Sequence, residues 1–202
     1  MNAALLSAIA VGVGTVVLGC AGAPKRSGAF ARDLHAEGPL PALREPLMTF
    51  GQFVGDWDMD ITFYDDAGKV VFHGPGRWTF GWILDGRAIQ DVITCGQLDD
   101  PSRGAPGERR IGTTVRQLDT ATGTWRVIFF GVSSGVLVVL KARPSDGRIV
   151  LEGSEGPGIR NRWIFSEIGP DRFRWRGEIS HDDGATWRLE QEMFGRRRRS
   201  DV

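Results

Sequence analysis

From residue 55 the chain alternates without a break. Trp57, Met59, Ile61 and Phe63 fall on one parity, and Asp56, Asp58, Asp60 and Thr62 on the other. A period of two puts the first set on one face of a β-strand and the second on the opposite, hydrated face. A helix would scatter the aspartates around its circumference. The same rhythm recurs down the chain, cut by turn residues every eight to fourteen positions or so. It predicts ten strands, at about 55–64, 69–84, 87–96, 110–118, 124–132, 136–143, 148–153, 159–167, 172–181 and 185–194. Gly74-Pro75-Gly76 is expected to bend or bulge the second strand, and a polar loop rich in Gly, Pro and Arg fills 97–109. After residue 50 no stretch carries a convincing amphipathic helix, and no internal repeat is visible beyond the hairpins.

Two hairpins can be registered from sequence. A three-residue Asp182-Asp183-Gly184 loop sets Ile179 against Trp187, Gly177 against Leu189 and Phe173 against Met193. The outer face then pairs Glu178 with Arg188, Arg176 with Glu190 and Arg174 with Glu192, and a one-residue slip would oppose apolar to charged throughout. Asp85-Gly86 signals a tight turn between the second and third strands. With a two-residue turn, Ile89 opposes Trp82, Ile93 opposes Trp78, and Arg87 and Asp91 point inward. A three-residue turn would send Gln90 and Thr94 inward instead. We adopt the first.

Ten antiparallel strands of this length close into an up-and-down barrel, which removes exposed edges. Gly55-Asp56-Trp57 at the head of the first strand, the Leu84-Asp85-Gly86-Arg87 hairpin and Trp187-Arg188 near the end resemble bacterial lipocalin-like (calycin) domains of unknown function, over roughly residues 48–195. The resemblance implies a cup of the lipocalin or fatty-acid-binding-protein type with Trp57 packed at its closed end. It carries over no catalytic residues.

The 202 residues suffice for one domain plus an appendage. Ala3 to Cys20 is uncharged and ends Val17-Leu18-Gly19-Cys20, which resembles a bacterial lipoprotein signal with Cys20 as the lipidated residue, although no Lys or Arg precedes the apolar run. That reading places the protein in the cell envelope, lipid-anchored or exported. A plain membrane anchor is a second reading. A start at Met48, leaving a cytoplasmic protein, is a third. The expected division is a leader at 1–20, a Pro/Gly-rich tether at 21–47, the barrel at 48–195 and a solvated basic tail at 196–202. Lys plus Arg and Asp plus Glu both number 25, so there is no general attraction to nucleic acid or anionic membrane. Membrane contact is expected only through the leader.

Candidate chemistry is sparse. No phosphate loop or metal-ligand spacing occurs. Cys20 and Cys95 offer no disulfide framework, and Cys95 reads as a small core residue. A haem ligated by His73 is conceivable but disfavoured against a hydrogen-bonded strand histidine, so no cofactor is expected. The remaining signal is aromatic. Trp57, Met59, Trp78, Phe80 and Trp82, with Arg87 and Asp91 as polar groups, form the expected lining for a small apolar or amphipathic ligand. A calycin-type isomerase or cyclase using Asp91, or a filled barrel serving as a structural module, are the alternatives.

Overall fold

The computed structural model describes residues 28–96, 110–132 and 134–199. The leader with Cys20, the 97–109 loop and the last three residues lie outside the described residues. Ten strands close into one antiparallel barrel: β2 Gly55–Tyr64, β3 Val70–Ile83, β4 Ala88–Cys95, β5 Arg110–Asp119, β6 Thr124–Gly131, β7 Val136–Ser145, β8 Arg148–Gly156, β9 Ile159–Ser166, β10 Arg172–Ser180 and β11 Arg188–Arg197. Each pairs with its neighbour in sequence, β11 returns to β2, and the β3–β4 ladder completes the ring. A two-residue strand, β1 (His35–Ala36), pairs with Ile83 and Trp82 of β3, just past the point where β2 leaves off.

The β3–β4 hairpin has the expected register, with Trp82 facing Ile89 and Trp78 facing Ile93. Leu84, Asp85 and Gly86 all adopt positive φ in its turn. Gly74-Pro75-Gly76 does not bulge: the ladder to β2 runs unbroken through it. The glycine is needed for a different reason. A Cβ on Gly76 would collide with the Ile61 side chain and the Thr94 carbonyl, so it lets three strands pass closely.

The β10–β11 hairpin departs from expectation. Its connection is longer than three residues because the Asp182 carboxylate organises it, accepting from the Ser180 hydroxyl at 2.7 Å, the Thr186 amide at 2.8 Å and the Thr186 hydroxyl at 2.7 Å. Trp175 therefore faces Met193 and Arg176 faces Glu192, two residues off the expected pairing. A slip of two keeps every side chain on its face. A bulge after Gly177 then flips the end of β11, so Glu178 faces Leu189 and Glu190 turns toward the barrel interior. Glu178 pairs instead with Arg162 at 2.7 Å, and Trp187 lies under the Arg162 guanidinium, 3.9 Å from its ring centre.

The closed end is filled. Two short helices precede β2, α1 (Ala29–Leu34) and α2 (Arg44–Gly51); α2 sends Leu47 and Phe50 into the barrel, followed by Phe53, and all three are buried. Phe50 meets Trp125 edge-on at 4.9 Å, Phe53 meets Phe165 at 4.8 Å, and Trp57 meets Phe173 at 4.7 Å. Such aromatic pairs contribute about 0.5–1.5 kcal/mol each beyond their buried area. Residues 35–47, expected as the end of a tether, lie against the barrel, with His35 and Ala36 paired to β3. The Leu40 amide donates to the Gly86 carbonyl at 3.0 Å, and the Leu84 amide to the Leu34 carbonyl at 3.1 Å.

The basic segment is also less free than expected. Arg197 ends β11, and its guanidinium lies 4.2 Å over the Trp57 ring. It donates to the carbonyls of Pro170 at 2.7 Å, Val54 at 2.8 Å and Gln52 at 2.7 Å. Trp57 in turn donates its indole N–H to the Phe53 carbonyl at 2.7 Å.

Candidate functional site: the open half of the barrel

Strand alternation that fills the lower half with rings leaves the upper half hollow. A cavity of about 680 Å³ opens between the ends of the strands opposite the helix. Its apolar wall comes from Ile61, Trp78, Phe129, Val138, Trp163 and Trp175, all inward positions of alternating strands. Gly112 and Gly131 keep it open, since a Cβ on Gly112 would meet Phe129 and one on Gly131 would meet Ser134.

Polar groups gather at the rim. Asn161 is buried and donates to the Glu155 carboxylate at 2.7 Å. Arg110 sits over Phe63, 5.0 Å from its ring centre. Glu190 lines the same space, held 3.3 Å from Arg188. Burial pushes its carboxyl up from the ordinary range, Arg188 pulls the other way, and the nearby Glu155 charge adds to the rise. Cys95 is a free, buried thiol in the wall, raised by burial and partly lowered by Arg110. A raised thiol pKa means little thiolate at neutral pH and therefore weak nucleophilicity.

Of the side chains expected to line a ligand site, the structure brings only Trp78 to the cavity wall. Trp57, Met59 and Phe80 are buried in the core outside it, and Trp82 packs against Gly51 of α2. Arg87 does not point inward: more than half its side chain is exposed, and it pairs with Asp85 at 2.9 Å. Asp91 does point inward, but it forms a buried ion pair with Arg116 rather than reaching the cavity. That guanidinium also lies 5.1 Å from the Phe50 ring centre and 5.3 Å from that of Phe80. An inward arginine in a ladder next to an inward aspartate was the available signal, since Gly112, Thr114 and Arg116 share one parity. His73 sits on the outer face of β3, 2.6 Å from Asp60. Among the described residues no three His, Cys, Asp or Glu side chains converge as metal ligands, and no helix is long and apolar enough to cross a membrane.

No protein-family model and no curated protein matches the chain. Among solved structures it is similar to the S-type phycobiliprotein lyase CPES from Guillardia theta, with 12% identity over 76% of this chain and 92% of that one, at a TM-score of 0.52. A redesigned β-barrel also matches, with 12% identity over 73% of this chain and 93% of that one, but at a TM-score of 0.39, which carries no argument. The first likeness, at this identity, concerns architecture alone. The chain is a closed ten-stranded antiparallel barrel of lipocalin-like fold with one strand outside it.

Proposed function

We propose that the protein is a small-molecule-binding cup that takes an apolar or amphipathic ligand into the open half of its barrel. One observation carries the reading: an aromatic and aliphatic cavity of about 680 Å³ with a few polar groups at its rim. That is the usual constitution of a ligand site. A filled-barrel module fits the lower half, where Phe50, Phe53 and Trp57 close the core, but not the upper. A catalytic role would need an acid or base in contact with the bound molecule; Asp91, the expected candidate, is committed to Arg116, and the carboxyls that line the cavity are those of Glu155 and Glu190. On the lipoprotein reading of the leader, Cys20 would hold the cup at the cell envelope.

The test is native mass spectrometry of the protein as isolated, followed by solvent extraction and identification of any released mass. Titration with fatty acids, haem and naphthalene probes, read by tryptophan fluorescence, accompanies it. A co-purifying or added apolar molecule that binds one to one and perturbs Trp78, Trp163 or Trp175 supports the cup. A bare mass and no response to any probe would remove it.

A further inference from the structure

The polar groups of the cavity are not spread evenly around its rim. Ile179 of β10 faces Asn161 of β9 on one side and Arg188 of β11 on the other. Strands β8 to β11 thus bring Glu155, Asn161 and Glu190 to one stretch of the open end, and all three line the cavity. What they present there is oxygen. Glu155 and Glu190 are close enough for their charges to interact. Asn161 is only 4% exposed; its amide nitrogen is spent on Glu155 at 2.7 Å, and its oxygen accepts no hydrogen bond from any described residue. An amide oxygen without a donor, in the wall of an apolar cavity, is a place for a donor that a ligand brings.

Aromatic rings adjoin these acceptors. Trp163 lies two residues from Asn161 on the same face of β9. The Trp175 ring packs over Gly177, the residue opposite Trp163, where a Cβ would collide with it. The two indoles meet at 5.5 Å and 63°, and Phe129 meets Trp163 edge-on at 5.6 Å. Steeply angled π faces beside carboxylates suit a cation. The protein's own cations nearby are engaged. Arg160 holds Asp183 at 3.1 Å and Arg162 holds Glu178 at 2.7 Å. Arg188 meets Glu190 at 3.3 Å while it is drawn to Asp66 at 2.9 Å, and Glu155 has no ion-pair partner among the described residues.

We infer that the ligand's polar end is an ammonium group, held among Glu155, Glu190 and the Asn161 oxygen with its apolar body against Trp163 and Trp175. The inference rests on the cup reading and narrows it to cationic amphiphiles. A neutral ligand would leave both carboxyls partly desolvated and unneutralised. A carboxylate end would meet like charge on this side of the mouth. Its alternative is Arg110, the one cation lining the cavity among the described residues. That guanidinium is exposed and rests over Phe63, so water screens it. One solvated cation is a weaker hold than two carboxyls and a buried acceptor acting together.

The experiment compares three probes with one apolar body, dodecylamine, dodecanol and dodecanoate, titrated into the full-length chain at neutral pH and read by tryptophan fluorescence. The ammonium should bind at least about tenfold more tightly than the alcohol, and the carboxylate more weakly than either. In the Glu155→Gln/Glu190→Gln variant the ammonium and the alcohol should bind alike, with the alcohol's affinity unchanged from wild type. That unchanged affinity shows that the cavity has survived the substitutions. If the double variant loses the alcohol as well, Glu155→Gln alone, at an exposed position, should still reduce the preference for ammonium. A carboxylate that binds as tightly as the ammonium overturns the inference and transfers the polar end to Arg110. A preference for ammonium that is undiminished in the variants overturns it too. In both cases the cup reading stands, whereas binding of none of the three probes to the wild type removes cup and inference together.

Discussion

The guanidinium of Arg197 lies 4.2 Å above the indole ring of Trp57 while its three nitrogens donate to three backbone carbonyls. Those carbonyls belong to Gln52, Val54 and Pro170, so one side chain fastens the start of β2, the turn before β10 and the last strand. Arg197→Ala should cost about 2–3 kcal/mol, from the lost charged hydrogen bonds and the cation–π contact. Arg197→Lys should restore less than half of that, since an ammonium cannot fork to three acceptors. Urea unfolding of the three proteins measures it, and a loss under about 0.5 kcal/mol in the alanine variant would refute the role.

Asp91 and Arg116 form the one ion pair sealed inside the aromatic plug among the described residues. Asp91→Asn leaves a guanidinium buried without a countercharge and should cost about 3–5 kcal/mol. The joint replacement Asp91→Leu/Arg116→Met should regain most of that loss, because removing both charges also removes their desolvation. A double variant no more stable than the single one contradicts this account.

Glu190 sets a pH dependence with a definite sign. Burial first, and then the Glu155 charge, raise its folded pKa above the ordinary value of 4.5. The folded state thus holds a proton that the unfolded state has released across that window. Its contribution is fully present below the ordinary value and is lost as pH rises through the raised one. Unfolding midpoints of wild type and Glu190→Gln, compared at a series of pH values from 4 upward, should show the wild type losing ground to the variant as pH increases. A constant difference, or one of opposite slope, would count against it.

The cavity and the plug can be separated by paired substitutions. Val138→Phe pushes a ring into the open half and should weaken probe binding about tenfold or more, at an overpacking cost of about 1–3 kcal/mol. Trp82→Phe, at the closed end against Gly51, should lower stability and leave probe affinity unchanged. Fluorescence titration with one naphthalene probe reads both. Equal effects from the two changes would place the ligand elsewhere.

A chain beginning at Met48 loses β1 and Leu47 together. Leu47 is fully buried, and its loss alone should cost about 2–5 kcal/mol. Thermal unfolding of residues 48–202 against residues 35–202 gives the comparison. Equal transitions would mean that the segment before Met48 adds nothing.

The strands were legible because alternation is a local signal, and the β3–β4 register followed from a turn whose glycine is obligatory. The β10–β11 register was not. It depends on the Asp182 side chain capping a longer loop, and on a bulge at Glu190 that no residue type announces. The plug was missed for a related reason. Leu47, Phe50 and Phe53 do fall at helical spacing, but eight residues containing Pro46 are too few for a periodicity to stand out. The candidate lining was read from the right faces at the wrong height. Parity tells which side chains point inward, whereas distance along the barrel axis emerges only when all ten strands are aligned.

Because rings pack the lower half and space occupies the upper, this barrel keeps its thermodynamics and its chemistry in different neighbourhoods. The side chains nearest the opening bear little of the weight of folding. On the proposed binding role, selectivity would be rewritten there by exchanging residues such as Val136, Ser134 or Gln191, while the closed end continues to hold the molecule together.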